Sequence, residues 1–266
     1  MPIFIGGMIK SGTTLVRRYI GNYPKIFSGL ESNWFRLDEF FNKNSDDIEP
    51  TLLLWSKFFD LEVSLLSEII KKASCSEEVL DQLFNHLKER DAFLEWCDKS
   101  PLNIAHGERI LSYWPEAKLI NVIRDPLDIF CSLKESKNIK DPKYFVKKWA
   151  QIFSNLKDLR LNTNYKEIRY EDIILNKTNT LENLYKFCGL EWNQIYSNYK
   201  YDNSELEKVR SVTGLTSTTL ERLSTPITIK RIGLHKKNLT SLERIEIENL
   251  ILKENLSEEF NNALWQ

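Results

Sequence analysis

Hydrophobic residues along the chain fall into short runs separated by longer stretches with helical spacing. The short segments at 2–6, 93–97, 117–123 and 167–170 are rich in apolar or β-branched residues, which predicts buried strands. Between them, apolar residues recur at steps of three and four positions, which predicts helices. Strands that alternate with helices indicate an α/β fold, with a central parallel β-sheet flanked by helices on both faces.

The longest interval between predicted strands contains a helical insertion. Residues 34–90 carry apolar pairs at helical spacing almost throughout, so we expect several helices there before the sheet resumes. We find no internal repeat and no low-complexity linker, and therefore expect a single domain covering 1–266. The Ser/Thr-rich run Ser211–Thr228 has a composition typical of a loop.

A candidate phosphate-binding loop follows the first predicted strand. Residues 7–14, GMIKSGTT, fit the pattern G-x-x-x-x-G-K-[ST] at every fixed position but one. Thr13 stands where nucleotide triphosphatases carry a lysine, whereas the lysine of this loop is Lys10. Ser11, Thr13 and Thr14 add hydroxyls at a helix N-terminus, which favours an anion. The misplaced lysine argues against transfer of a terminal phosphoryl group, which normally needs that lysine and Mg²⁺.

Composition and charge exclude several other classes of protein. The 266 residues carry a net charge of −1, so we expect no nucleic-acid partner. Four cysteines without a C-x-x-C pair and three histidines predict reduced thiols and no metal site. No apolar run approaches the ~20 residues that a membrane span needs. The first strand starts at residue 2 or 3, which leaves no room for a signal peptide, and we expect a cytoplasmic protein.

Five segments, in order along the chain, resemble the motifs of sulfotransferases that use 3′-phosphoadenosine-5′-phosphosulfate (PAPS). The pattern is more similar to bacterial and tyrosylprotein-type sulfotransferases than to the cytosolic steroid and phenol group. The resemblance implies a three-layer P-loop-type fold and metal-independent, in-line transfer of a sulfuryl group from PAPS to an acceptor hydroxyl. The segments are GMIKSGTTLV from residue 7, DKSPLN at 98–103, VIRDPLDIFCSL at 122–133, IRYEDII at 168–174 and PITIKRIGLHKKNL at 226–239.

The resemblance also implies which residues bind the donor nucleotide. Lys10 would neutralise charge on the leaving phosphate, which makes it both a cofactor-binding and a catalytic residue. Arg124 and Ser132 would hold the 3′-phosphate, and Tyr170 would contact the adenosine side. The complete cofactor-binding set is Lys10, Ser11, Gly12, Thr13, Thr14, Arg124, Ser132, Tyr170 and Lys236.

Three further residues take catalytic roles from the same resemblance. Glu31 is the candidate general base for the acceptor hydroxyl, and Lys99 is the candidate cation that stabilises the transferring sulfuryl group. The transition-state serine of the family falls on Thr219, whose hydroxyl can still donate a hydrogen bond. Ser217 or Thr218 would serve instead after a slip of one residue.

The C-terminal segment departs from the family pattern. Leu234 occupies the position of a phosphate-binding arginine, which leaves Lys236 or Arg231 as its replacement. Two alternatives stay open. One is a P-loop kinase of small molecules, against which Thr13 counts, and the other is a non-catalytic nucleotide-binding relative, which Thr219 and Leu234 favour. The acceptor is open among a sugar, a lipid, a phenol and a peptide tyrosine. We expect the regions 34–90 and 200–225 to form its pocket, since both lack cofactor motifs.

Overall fold

The computed structural model describes residues 1–43, 48–136, 139–153, 156–198, 203–214, 218–225 and 227–264. Within these residues, five strands form one sheet in the order β2–β3–β1–β4–β5, and each neighbouring pair is parallel. The strands are β1 (Ile3–Gly7), β2 (Ile26–Ser28), β3 (Glu95–Lys99), β4 (Lys118–Ile123) and β5 (Tyr165–Arg169).

Helices connect the strands and cover both faces of the sheet. No described helix is both long and apolar enough to cross a membrane. Short 3₁₀ helices occupy Trp34–Leu37, Pro101–His106, Gln194–Ser197 and Ile229–Arg231. The α-helices of the described chain are α1 (Thr13–Gly21), α2 (Asp38–Lys43), α3 (Glu49–Phe59), α4 (Val63–Lys72), α5 (Ser76–Arg90), α6 (Gly107–Tyr113), α7 (Pro126–Glu135), α8 (Pro142–Phe153), α9 (Leu156–Leu159), α10 (Tyr170–Leu175), α11 (Lys177–Phe187), α12 (Ser204–Thr213), α13 (Thr218–Leu223), α14 (His235–Asn238), α15 (Ser241–Lys253) and α16 (Ser257–Ala263).

The central strand β1 contributes to two hydrophobic cores. Phe4 packs with Trp96 on one face of the sheet, whereas Ile3 and Ile5 join Leu15 of α1 on the other. Side chains alternate between faces along a strand, so a fully buried strand supplies both cores. The fold is thus a three-layer α/β arrangement, as the sequence predicts.

Most predicted elements are present near their expected positions. The four predicted strands correspond to β1, β3, β4 and β5, and the interval 34–90 forms a 3₁₀ helix followed by α2 to α5. The strand β2 was not predicted, because its three residues are too few to produce a recognisable alternation.

The loop predicted for Ser211–Thr228 is wrong for 211–213 and 218–223, which are helical. Helix α12 continues to Thr213, and α13 occupies Thr218–Leu223. Leu220 is only 6% exposed, so burial against the rest of the molecule favours a helix there despite the Ser/Thr-rich composition. Residues 215–217 and 226 lie outside the described residues.

The carboxyl ends of three central strands meet at one edge of the sheet. There β1 ends at Gly7, β3 at Lys99 and β4 at Ile123. Ligands of open α/β sheets bind outside this edge, near the point where the strand order reverses. In this chain β1 lies at that reversal, between β3 and β4.

Candidate active site

The loop between β1 and α1 has a backbone that depends on glycine. Gly7 has φ 143° and Gly12 has φ 106°, values that residues with a side chain rarely adopt. A Cβ atom on Gly12 would lie 2.6 Å from Cδ2 of Tyr170, so this position also requires the absence of a side chain. Lys10 lies between them in the left-handed region, with φ 72°. The loop is therefore a tight turn that brings backbone N–H groups and the N-terminus of α1 to one place.

The side chain of Ser11 favours the binding of an anion at this loop. Its side chain is fully buried, and its Oγ has no hydrogen-bond partner within the described residues. Buried hydroxyls normally have partners, because an unsatisfied one costs free energy. A phosphate or sulfuryl oxygen at the N-terminus of α1 would satisfy this hydroxyl, so the loop fits the predicted donor.

Arg124 joins the loop to the C-terminal segment. Its Nη1 donates to the carbonyl oxygen of Lys10 over 2.9 Å, and its Nη2 donates to that of Arg231 over 2.6 Å. The guanidinium carbon lies 4.5 Å from the centre of the Tyr170 ring. The residue that the sequence assigns to the 3′-phosphate therefore also holds two backbone segments together.

A cleft of about 420 Å³ opens between these two segments. We call it the large cleft. It contains five of the residues that the sequence assigns to cofactor binding. Its lining residues are Lys10, Gly12, Leu15, Arg124, Ser132, Tyr170, Thr219, Arg222, Thr225, Ile227, Thr228, Lys230 and Arg231.

The large cleft is strongly cationic around Lys10. Burial, together with the nearby charges of Arg222 and Arg231, lowers the pKa of Lys10 to about 8. The Nζ atom of Lys10 donates to Thr219 Oγ1 over 3.1 Å. Positive groups that lower one another's pKa favour the binding of an anion among them.

A second cavity of about 250 Å³ also has Thr219 in its lining. We call it the small cavity. Thr219 lines both spaces, whereas Lys10 lines the large cleft and is linked to the small cavity through its hydrogen bond to Thr219. The residues of the small cavity are Thr14, Arg17, Leu30, Glu31, Asn33, Phe58, Lys99, Val209, Thr219 and Leu220.

The small cavity contains an ion pair between the two predicted acceptor-side residues. Lys99 donates from Nζ to Glu31 Oε1 and, over 3.1 Å, to Thr14 Oγ1. The Lys99 side chain is only 4% exposed, whereas that of Glu31 is 39% exposed. Lys99 therefore links the phosphate loop to a carboxylate that remains accessible from the cavity.

Arg17 and Glu205 form a second ion pair at this cavity, which sequence reasoning missed. Arg17 Nη2 donates to both carboxylate oxygens of Glu205 over 2.6 Å, and Nη1 donates to the carbonyl oxygens of Ser28 and Gly29. Burial alone would raise the pKa of Glu205, but Arg17 and Arg18 lower it below its ordinary value. The pair anchors α12 over the cavity.

The structure brings nearly all of the predicted site residues together, with one clear exception. Lys236, assigned to the cofactor, is exposed on α14 and does not line the large cleft. Its alternative Arg231 does line the cleft. Arg222, which no motif indicated, lines it as well. Ser217, an alternative to Thr219, lies outside the described residues.

Asp125, Asp128 and His235 could in principle share a metal ion, since one ligand atom of each lies within 4.8 Å of the others. These atoms already have other partners. Asp125 Oδ1 accepts from the backbone N–H groups of Leu127 and Asp128, which caps α7. Asp128 accepts from the N–H groups of Gly233 and His235 and contacts His235 Nδ1 at 2.8 Å. The group thus fastens the C-terminal segment to α7.

Comparison with known proteins identifies the class of protein to which this fold and site belong. A model of the sulfotransferase family matches residues 2–194. The chain belongs to the sulfotransferase family.

A protein-tyrosine sulfotransferase of Drosophila melanogaster is a more specific relative. It is 22% identical over 251 residues, which cover 88% of this chain and 46% of that protein. A protein-tyrosine sulfotransferase of Danio rerio is 23% identical, over 73% of this chain and 54% of that protein. The chain therefore spans about half the length of these relatives.

Solved structures support the fold. The sulfotransferase domain of a Synechococcus olefin synthase superposes with a TM-score of 0.67 at 16% identity, covering 95% of this chain and 94% of that domain. A mouse sulfotransferase in complex with PAP gives a TM-score of 0.51 at 12% identity, covering 98% of this chain and 88% of that one. The expected P-loop-type sulfotransferase fold is thereby confirmed.

Proposed function

We propose that this chain transfers the sulfuryl group of PAPS to the hydroxyl of an acceptor, without a metal ion. The observation that carries the proposal is that Thr219 lines both spaces and accepts a hydrogen bond from Lys10. A fixed cation between a cationic cleft and a separate cavity is placed to stabilise charge on a leaving group during transfer. Because Lys10 lines the large cleft and donates to Thr219, which also lines the small cavity, a donor in the cleft and an acceptor in the cavity would meet near this cation.

The residues of the large cleft fit the donor. PAPS supplies the sulfuryl group and a nucleotide leaving group that carries phosphates at the 5′ and 3′ positions. Ser11 and the N-terminus of α1 bind the 5′ end, while Ser132 and Arg231 at the other end of the cleft bind the 3′-phosphate. The mouse sulfotransferase bound to PAP, the nucleotide left after such a transfer, supports PAPS as the class of donor.

The residues of the small cavity handle the acceptor. Glu31 accepts the proton of the acceptor hydroxyl. At the same time the hydroxyl oxygen forms a bond to sulfur, and the bond between sulfur and the 5′-phosphate oxygen breaks. Lys99 keeps Glu31 oriented and places a cation beside Thr14 of the loop. Thr219 orients Lys10 through their hydrogen bond. These groups act by position and charge, which is where most of the rate enhancement in such a transfer arises.

A phenolic hydroxyl is the acceptor class that we propose. The small cavity has apolar walls at Leu30, Phe58 and Leu220, close to Glu31. Such walls suit an aromatic ring whose hydroxyl faces a base. The relatives named protein-tyrosine sulfotransferases support a tyrosine side chain, although their greater length leaves the acceptor of this chain a proposal. A cytoplasmic location stays a prediction.

Calorimetry with EDTA present tests the donor. We expect adenosine 3′,5′-bisphosphate to bind much more tightly than 5′-AMP, ADP or ATP. A second arm supplies labelled PAPS with a tyrosine peptide, a small phenol, a sugar and a lipid alcohol, and scores transfer. Transfer to a phenolic compound supports the acceptor class.

The same measurement separates the alternatives. A preference for ATP that depends on Mg²⁺ would replace the proposal with a kinase, which no observation on the described residues favours. Tight binding of the bisphosphate without transfer to any acceptor would indicate a non-catalytic relative.

A further inference from the structure

Two arginines from the C-terminal segment converge on one end of the large cleft. Arg222 on α13 donates to Ser132 Oγ over 3.4 Å and to Glu135 Oε2 over 3.1 Å. Arg231 donates to the same two atoms, over 3.2 Å and 2.8 Å. Ser132 and Glu135 both belong to α7, so a single helix face holds the two guanidiniums side by side.

The charge at this end of the cleft is not balanced. Glu135 is the carboxylate that both arginines contact, and Lys10 is close enough to feel the charge of each. Burial and the charge of Arg231 lower the pKa of Arg222 below its ordinary value. A region with more positive than negative groups, open to a cleft, is suited to an anion.

The two guanidiniums also have the geometry that a phosphate monoester requires. Arginine presents five N–H donors in a planar fork. The contacts with Ser132 and Glu135 use two donors of Arg222 and two of Arg231. Phosphate oxygens accept such donors in pairs. Arg124, in contrast, directs Nη1 and Nη2 to backbone carbonyl oxygens, which makes it a support for Arg231.

We infer that Arg222 is a ligand of the 3′-phosphate of the donor and sets the preference of this chain for a 3′-phosphorylated nucleotide. The inference rests on the proposed function and adds to it a residue outside the part of the chain that the family model matches. Arg222 acts with Arg231 and Ser132, and Glu135 holds the two guanidiniums in place. In this arrangement, α13 contributes to nucleotide recognition at its Arg222 end and contacts Lys10 at its Thr219 end.

The test compares two nucleotides that differ only in the 3′-phosphate. Calorimetry on the full chain gives the Kd of adenosine 3′,5′-bisphosphate and of 5′-AMP for the wild type, Arg222→Gln and Arg210→Gln. We expect Arg222→Gln to weaken binding of the bisphosphate by about 10- to 100-fold and binding of 5′-AMP by less than about threefold. The reason is that only the bisphosphate has a 3′-phosphate for the Arg222 guanidinium to bind. Arg210 is the matched control, because it is exposed, contacts Glu221 and lines neither space.

The two nucleotides also separate recognition from folding. If Arg222→Gln weakens both equally, or keeps the wild-type ratio of the two affinities, the inference is overturned. Arg222→Lys keeps the charge but loses the planar guanidinium, so it should restore part of the preference for the bisphosphate over 5′-AMP. A preference no greater than that of Arg222→Gln would count against phosphate binding by this side chain. Equal affinity of the wild type for both nucleotides would instead overturn the proposed donor itself.

Discussion

The large cleft and the small cavity share Thr219 but differ in charge. The large cleft is lined by Lys10, Arg124, Arg222 and Arg231. The carboxylates that contact these side chains, Asp128 and Glu135, are too few to balance their positive charge. In the small cavity, the two cations that line it are each paired with a carboxylate, Lys99 with Glu31 and Arg17 with Glu205. An uncompensated positive field suits a polyanionic nucleotide, whereas paired charges suit a neutral hydroxyl compound. The difference indicates which side receives the donor.

The two spaces also differ in how the chain builds them. The large cleft combines residues that follow β1, β4 and β5 with seven residues of the C-terminal segment 219–231. The small cavity combines the loop with α3, α12 and α13, which are far apart in sequence. Variants of each space should therefore affect different measurements. Lys10 lines the large cleft and is hydrogen-bonded to the shared Thr219, so its variants should affect all of them.

Lys10→Ala is expected to have the largest effect. Removal of the ammonium takes away the charge that stabilises the leaving phosphate, and we expect turnover to fall by about 10²–10³. The same change removes a cation from the large cleft, so the bisphosphate should also bind more weakly. Turnover with labelled PAPS and calorimetry measure the two effects.

Lys143→Ala is the matched control for this change, because Lys143 is exposed on α8 and lines neither space. It should leave both measurements at wild-type values. If Lys10→Ala kept wild-type turnover, the junction between the two spaces would not be the reaction site.

The difference between the spaces explains what could be predicted from the sequence. The loop residues Ser11 to Thr14 are consecutive, and their strand-to-helix context is visible in the hydrophobic pattern. Glu31 and Lys99 are far apart in sequence, and their contact follows only from family resemblance, not from any local pattern.

Other site residues could not be predicted, for physical reasons. Arg222 contacts Ser132, 90 positions away in sequence, and Arg17 contacts Glu205, 188 positions away. Hydrophobic periodicity does not predict contacts at such sequence separations. The helix that carries Arg222 forms in a Ser/Thr-rich run because Leu220 is buried, which is a tertiary effect. Lys236 was assigned by counting from a motif, but the short helix α14 leaves it exposed outside the cleft.

Glu31→Gln should separate the two spaces more cleanly than Lys10→Ala. The amide cannot accept the proton of the acceptor hydroxyl, so we expect transfer to slow by about 10² or more. Glu31 does not line the large cleft, so the Kd of the bisphosphate should stay within about twofold of the wild type, since that site keeps all its charges. Wild-type transfer in this variant would remove Glu31 as the base. Glu62→Gln, at an exposed position before α4, controls for loss of one carboxylate.

The pH dependence of nucleotide binding gives the smallest expected effect and tests the charge difference most directly. The pKa of Lys10 is about 8, so above that pH the Lys10 ammonium of the free protein loses its proton. The bound nucleotide favours the protonated, positively charged form. Binding then takes up a proton, and affinity for the bisphosphate should fall by up to about tenfold per pH unit above 8. Lys10→Arg, which stays charged, should flatten this fall, whereas Glu31→Gln should not change it. Calorimetry from pH 7 to 9.5 measures all three, and an equal fall in wild type and Lys10→Arg would contradict the assignment of the titration to Lys10.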